Sequence, residues 1–260
     1  SLHTPAESCN VAGILRGSDP RLREEVLVYT AHLDHLGIGT PVDGDSIYNG
    51  AYDNASGVAV MLETARAFVS LPEAPRRSIL FVAVTGEEKG LLGSAYFAEN
   101  PTVPLEQIVG AINLDMFLML YPLQDVIAFG AEHSTFHEIV ENAVAQVGVR
   151  LSPDPIPEEV LFVRSDQYSF VRKGIPAIFL MAGFDSGDPA MSGGTLFKNW
   201  LSEIYHGQKD DMNQPMDLEA GVRFTRANFL IGHGVANGDD RPWWNPGDFF
   251  GDRFAAPTTD

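Results

Sequence analysis

Two adjacent glutamates, Glu87 and Glu88, follow directly on SILFVAVTG, an apolar run with the character of a buried strand. Neighbouring like charges repel, and the end of a central strand is a costly place to bury them. Either they form a solvated turn, or each has its own task. Histidines and carboxylates stand at comparable places elsewhere. His32-Leu33-Asp34-His35 ends the run EVLVYTA, Asp53 lies in AYDNASG ahead of a helix, Asp115 follows IVGAIN, and His206 lies in IYHGQKDD. Imidazole nitrogen and carboxylate oxygen are a donor set that zinc takes with no thiolate required. Singly, each stretch has a plain structural reading: HLDH as a polar turn, AYDNASG as a helix cap, GEE as a solvated turn, YHG as a surface histidine. Together, in one chain and at strand or helix ends, they point to a metal centre. His137-Glu138 opens like HExxH, but Glu141 stands where the second histidine belongs. There is no phosphate-binding glycine loop and no GxSxG elbow.

The elements that must position these residues alternate. Strands are expected over 25–31, 78–84, 108–116, 125–129 and 177–183. Helices are expected over 56–71 (burying Val58, Met61, Leu62, Ala65, Phe68 and Val69), 91–100, from 135 onward, 165–174 and 217–236. Thr135 with Glu138 has the form of a capping box. The Gly/Ser/Asp-rich stretch 183–194 reads as a mobile loop, and the aromatic end RPWWNPGDFFG as a segment that packs down. Near-continuous apolar strands alternating with helices imply an α/β sheet covered on both faces. Ligands of such sheets bind beyond the carboxyl ends of the strands, where the histidines and carboxylates collect.

The 260 residues are enough for one large domain with a full core. With 35 acidic against 17 basic residues, the formal charge is −18. That disfavours nucleic acid as a partner, since phosphate binding needs a basic patch. No apolar run reaches the roughly 20 residues of a membrane span. The single cysteine, Cys9, excludes an intrachain disulfide and is expected to be a small buried hydrophobe. The chain starts at Ser1 without a signal peptide, as expected of a processed or partial chain.

AHLDHLG, AYDNASG, GEEKGLLGS, NLDM, RSDQYSF and YHGQKDD, in this order, resemble the zinc exopeptidase family of bacterial leucyl aminopeptidases, glutamate carboxypeptidase and glutaminyl cyclase. The similarity runs from about Asn10 to the last helix. It implies a single metallopeptidase catalytic domain over 1–260, without the N-terminal helices or inserted domain of some relatives. The implied fold is a three-layer αβα α/β domain with a mixed, mostly parallel twisted sheet of about eight strands. The implied cofactors are two zinc ions: His32 and Asp115 on one, Glu88 and His206 on the other, Asp53 bridging. Asp34 would hold the imidazole of His32, Glu87 would be the general base acting on the water between the metals, and Tyr205 would donate to the oxyanion. A cis peptide is expected at Asp53–Asn54. Gln167 stands where the family often has histidine, and is expected to face substrate. The implied activity is aminopeptidase cleavage of peptides with a free N-terminus. Glutaminyl cyclisation, carboxypeptidase activity (with Arg164 and Lys198 for the substrate carboxylate) and a non-catalytic binding module remain open. Met119, Tyr121 and Phe184 are candidate pocket walls, and Asp185 and Asp188 candidate partners for a free amine. The habits of the family imply an exported protein.

Overall fold

The computed structural model describes residues 7–254. Its centre is a seven-stranded sheet in the order β1-β5-β2-β6-β9-β7-β8. The strands are β1 (Val11–Leu15), β2 (Val26–His32), β5 (Ser78–Val84), β6 (Ile108–Asn113), β7 (Asp125–Phe129), β8 (Arg150–Ser152) and β9 (Ala177–Ala182). β5, β2, β6 and β9 run parallel, β1 and β7 lie antiparallel to their neighbours β5 and β9, and β8 runs parallel to β7. All seven residues of β2 are buried, so its sequence is apolar almost throughout rather than alternating. Successive side chains still point to opposite faces. Leu27, Tyr29 and Ala31 join a core with α1 (Gly57–Val69), α3 (Phe136–Gln146) and α6 (Leu218–Asn237), through Phe68, Phe136, Val140, Phe224 and Ile231. Val26 and Val28 join a second core with α2 (Leu92–Glu99) and α4 (Gln167–Val171), through Phe97 and Phe170. The result is a three-layer αβα arrangement.

Several local expectations give way to tertiary packing. The strand expected over 108–116 ends at Asn113, so Asp115 stands on a loop. α1 buries Val60, Met61, Thr64 and Phe68, whereas Leu62 and Val69 are exposed. Thr135 does not cap α3, because its hydroxyl accepts the backbone N–H of Trp243 (3.0 Å) from the aromatic C-terminal segment. Cys9 is exposed, beside the edge strand β1. The stretch 183–194 is tied down by Asp185 N–H to Asp125 and by the hydroxyl of Ser186, and it leads into a helix the sequence pattern did not announce, α5 (Gly193–Glu203). A separate hairpin, β3 (Gly37–Val42) and β4 (Asp45–Tyr48), turns through Asp43 and Gly44, both with positive φ.

At the amino end of β5, Arg77 is buried. Its guanidinium donates to the carbonyls of Val235 and Gly238 at the end of α6, and its Nε pairs with Glu25 at 2.6 Å. The opposite, carboxyl end of the parallel strands is left open for side chains.

Candidate active site

β5, β2 and β6 are adjacent and parallel, so their carboxyl ends emerge side by side. In register His32 lies opposite Val84, and Thr30 opposite Asn113. Glu87 follows three residues beyond Val84 and Asp115 two beyond Asn113. The chain after each strand therefore delivers its polar residue to the same edge. Asp53 arrives from the irregular turn Ala51–Ser56 ahead of α1, and the Asp53–Asn54 peptide is cis. His206 arrives from the loop after α5, with φ +55. Met116 (φ +48) and Leu91 (φ +59) border the same space in the same left-handed region. Such backbone is costly for residues with a Cβ and gathers at functional sites.

His32 Nε2 lies 3.3 Å from Asp53 Oδ1 and 3.2 Å from Asp115 Oδ1. On the other side of Asp53, His206 Nε2 lies 3.3 Å from Asp53 Oδ2 and 3.1 Å from Glu88 Oε2. Two clusters thus share one carboxylate. Glu87 and Tyr205 line the same cavity, of about 480 Å³. Tyr205 stacks on the ring of His206, centroids 3.8 Å apart.

Asp34 takes a different position from the one expected. His32 Nδ1–H donates to the main-chain carbonyl of Asp34 (3.0 Å), while the Asp34 carboxylate is 3.8 Å from that nitrogen. The carboxylate instead accepts the backbone N–H groups of Glu87 (3.1 Å) and Glu88 (3.3 Å). These amides open a single helical turn after Gly86, where unpaired N–H groups attract an anion. One residue thereby orients His32 and anchors both glutamates. Gln167 also differs. It is fully buried, accepting from Asn113 and donating to the carbonyl of Phe162, and does not line the cavity.

The electrostatics separate the two glutamates. Burial, reinforced by Asp115, pushes Glu87 up to about 8. Burial acts the same way on Glu88, but the adjacent imidazole of His206 and the hydrogen bond with His35 prevail and hold it at about 2. Burial opposes a charge on His32, yet Asp115 and Asp53 raise it to about 12. The adjacent carboxylates of Asp53 and Glu88 raise His206 to about 9. Burial, with the surrounding carboxylates, pushes the Tyr205 phenol upward, so it remains a proton donor.

These residues fit a divalent cation in each cluster. With its Nδ1 proton given to a carbonyl, His32 turns Nε2 toward two carboxylates, a place for either a proton or a cation. His206 Nε2 is buried and close to two carboxylates, yet makes no well-angled hydrogen bond. Buried imidazole and carboxylate atoms crowded together with incomplete hydrogen bonding, as at His206 Nε2, are what a metal site leaves when only its protein groups are considered. His32, Asp53 and Asp115 form one group of potential ligands whose donor atoms all lie within 4.8 Å of one another.

Three supporting residues were not singled out from sequence. Ser165 Oγ donates to Asp115 Oδ2 (2.6 Å) and accepts from Asn113, which also accepts from Thr30, so a buried line of hydrogen bonds runs from β2 to Asp115. Asp210 accepts the N–H groups of Tyr52 (2.8 Å) and Asp53 (3.0 Å), fixing the turn that carries Asp53. Its signal is its place four residues after His206. His35 Nδ1 lies 2.8 Å from Glu88 Oε1, and its signal is the second histidine of HLDH. The expected pocket walls Met119, Tyr121 and Phe184 do not line the cavity, nor do Asp185 and Asp188. Met116, Ile156, Leu161, Phe179, Phe197 and Leu201 do. Tyr121 is directed away, donating to the Gly183 carbonyl, and Asp185 pairs with Arg150. Arg164 and Lys198 reach the cavity, Arg164 paired with Glu159 at 3.2 Å.

Residues 10–230 match the profile of Peptidase family M28. The chain belongs to this family. Leupeptin-inactivating enzyme 1 of Streptomyces exfoliatus is 31% identical over 205 residues, which cover 77% of this chain and 42% of that protein. A probable zinc metalloprotease of Leptosphaeria maculans is 36% identical over 112 residues, 43% of this chain and 25% of its own length. This M28 chain thus spans less than half the length of these relatives. Among solved structures, a zinc aminopeptidase of Bacillus subtilis shares the fold with TM-score 0.66 at 21% identity, over 88% of this chain and 50% of that one. Glutaminyl cyclase of Porphyromonas gingivalis shares it with TM-score 0.59 at 20% identity, over 85% and 76%. Among the described residues of the M28 chain, no helix is long and apolar enough to cross a membrane.

Proposed function

We propose that this chain is the catalytic region of a di-zinc aminopeptidase that removes N-terminal residues from peptides with a free N-terminus. The observation that carries the reading is the convergence of two imidazole–carboxylate clusters on one carboxylate, Asp53, with Glu87 beside both. His32 and Asp115 would hold one zinc, Glu88 and His206 the other, and Asp53 both. Bound there, zinc would supply Lewis acidity, polarising the scissile carbonyl and making water easier to deprotonate.

The protein's own groups carry the proton. Glu88 stays anionic, while burial raises the affinity of Glu87 for a proton, which suits a group that carries a proton from water to the leaving amine. That difference supports separate tasks for the two glutamates, one as a ligand and its neighbour as a base. Tyr205 keeps its phenolic proton and would donate to the developing oxyanion. The walls formed by Met116, Phe179 and Phe197 suit a large apolar side chain at the N-terminus of the substrate, and the acidic rim of Glu158 and Glu159 suits its α-amine.

The test is Glu87→Gln, assayed for zinc content and for hydrolysis of a leucyl peptide. The variant is expected to keep its zinc and to lose about 10²–10⁴-fold in turnover. A rate near that of the unaltered chain sinks the assignment. One observation favours a second reading: the cyclase structure is matched over 76% of its own length, a larger share than the aminopeptidase. Faster formation of pyroglutamate from a glutaminyl peptide than hydrolysis of a leucyl one would decide for it.

A further inference from the structure

His35 has no part in the reading above, yet it stands closer to Glu88 than His206 does. His35 Nδ1 is 2.8 Å from Oε1, and His206 Nε2 is 3.1 Å from Oε2. The two imidazoles divide the carboxylate, one oxygen each. His35, Asp53 and Glu88 also have donor atoms within 4.8 Å of one another, but His35 Nδ1 is 3.9 Å from Asp53, beyond hydrogen-bond reach, so within that group it bonds Glu88 alone. Its side chain is 8% exposed. Gly50, at φ +66, lies against the ring, and a Cβ there would come within 2.9 Å of His35 Cγ. The close approach of the Gly50 backbone keeps the ring in place. Among the described residues, His35 Nε2 is buried with no hydrogen-bond partner. A proton there would be an unsatisfied buried donor, so the neutral ring carries its proton on Nδ1, aimed at Glu88.

We propose that His35 is a positioning residue for the Glu88 half of the centre, an inference that rests on the di-zinc reading. Its Nδ1–H occupies Oε1 and turns Oε2 alone toward His206 and Asp53, which makes Glu88 a one-oxygen ligand. The terminal torsion of glutamate is broad and nearly two-fold. Without the bond, Glu88 is free to rotate, to present both oxygens, or to swing into the cavity beside Glu87. Hydrogen bonds to ligating carboxylates set affinity in this way, and losing one typically costs 10–100-fold.

The experiment is a zinc titration against a competing chromophoric chelator, on the unaltered chain, His35→Ala and His35→Asn. An asparagine amide places an N–H near the position of imidazole Nδ1. The unaltered chain is expected to take up two zinc ions. In His35→Ala one affinity stays unchanged and the other weakens by about 10–100-fold, and His35→Asn recovers most of the loss. The unchanged affinity is the internal control for folding. If the alanine variant does not fold, His35→Gln replaces it, since its amide falls nearer the Nε2 position and leaves Glu88 without a donor. Two unchanged affinities in His35→Ala overturn the inference and leave the di-zinc reading standing. An asparagine variant as weak as the alanine variant overturns it by making the ring itself a ligand. An unaltered chain that takes up fewer than two zinc ions overturns both.

Discussion

The two halves of the candidate centre share Asp53 and differ in what carries them. In the His32–Asp115 half, His32 ends β2 and Asp115 follows two residues beyond the adjacent strand β6, with side chains 1% and 11% exposed. A buried line of hydrogen bonds through Thr30, Asn113 and Ser165 ends on Asp115. The Glu88–His206 half stands on loops. Glu88 sits on one helical turn, and His206, 36% exposed, is supported by stacking on Tyr205. Sheet-borne ligands are set in place by the fold, whereas loop-borne ligands depend on the few residues that brace them. The first half is therefore expected to bind zinc tightly and the second to exchange it.

Asp53→Ala should erase the comparison, because the residue belongs to both halves. Zinc content and peptide hydrolysis are expected to fall together, turnover by on the order of 10⁴-fold. Retention of one tightly held zinc would show that the strand-borne half stands without it. A chelator titration should remove zinc in two steps, with activity lost in the first. Ser165→Ala should bring the steps together by weakening the strand-borne half about 10–100-fold. Steps that stay as far apart as in the unaltered chain would deny that the hydrogen-bond line matters.

An effect on stability alone concerns Glu87 in chelator-treated protein. Its folded pKa of about 8 lies above the roughly 4.3 of an unfolded glutamate. Between those values the unfolded chain releases a proton that the folded chain keeps. The contribution of Glu87 to stability is thus lost as pH rises from about 4.5 to 8. Glu87→Gln removes that penalty, so it should stabilise the chelated protein at pH 7 by up to roughly 3–4 kcal/mol and have little advantage near pH 4. Urea unfolding at the two pH values reads the difference, and an equal gain at both would assign it to packing.

Much of the strand-borne half was legible in the sequence, because it follows from local pattern. Continuous apolar runs mark parallel buried strands, and the polar residue after each run must emerge at one edge. In the loop-borne half Glu88 was legible by the same pattern, following the apolar run 78–84, whereas the role of each loop residue was legible only through the resemblance of its motifs, since no periodicity governs a loop. His35 escaped notice because HLDH gives no local sign of which histidine faces which carboxylate. Asp34 was read as a partner of the His32 side chain, but the free amides at the start of the Glu87 turn compete for its carboxylate. The hairpin around Asp43-Gly44 carried a turn signal that went unused, since its strands are short and every position of β3 is exposed. α5 was hidden by the two glycines that open it.

Arg77 and Glu87 sit at the two ends of the same strand, separated by β5. Residues 78–84 extend over about 23 Å at the usual rise of a strand. The arginine fastens a helix terminus to the sheet, and the glutamate faces the cavity. A fastener and a candidate base thus stand at opposite poles of one rod, so a change at the Arg77 pole reaches the cavity only along the length of β5.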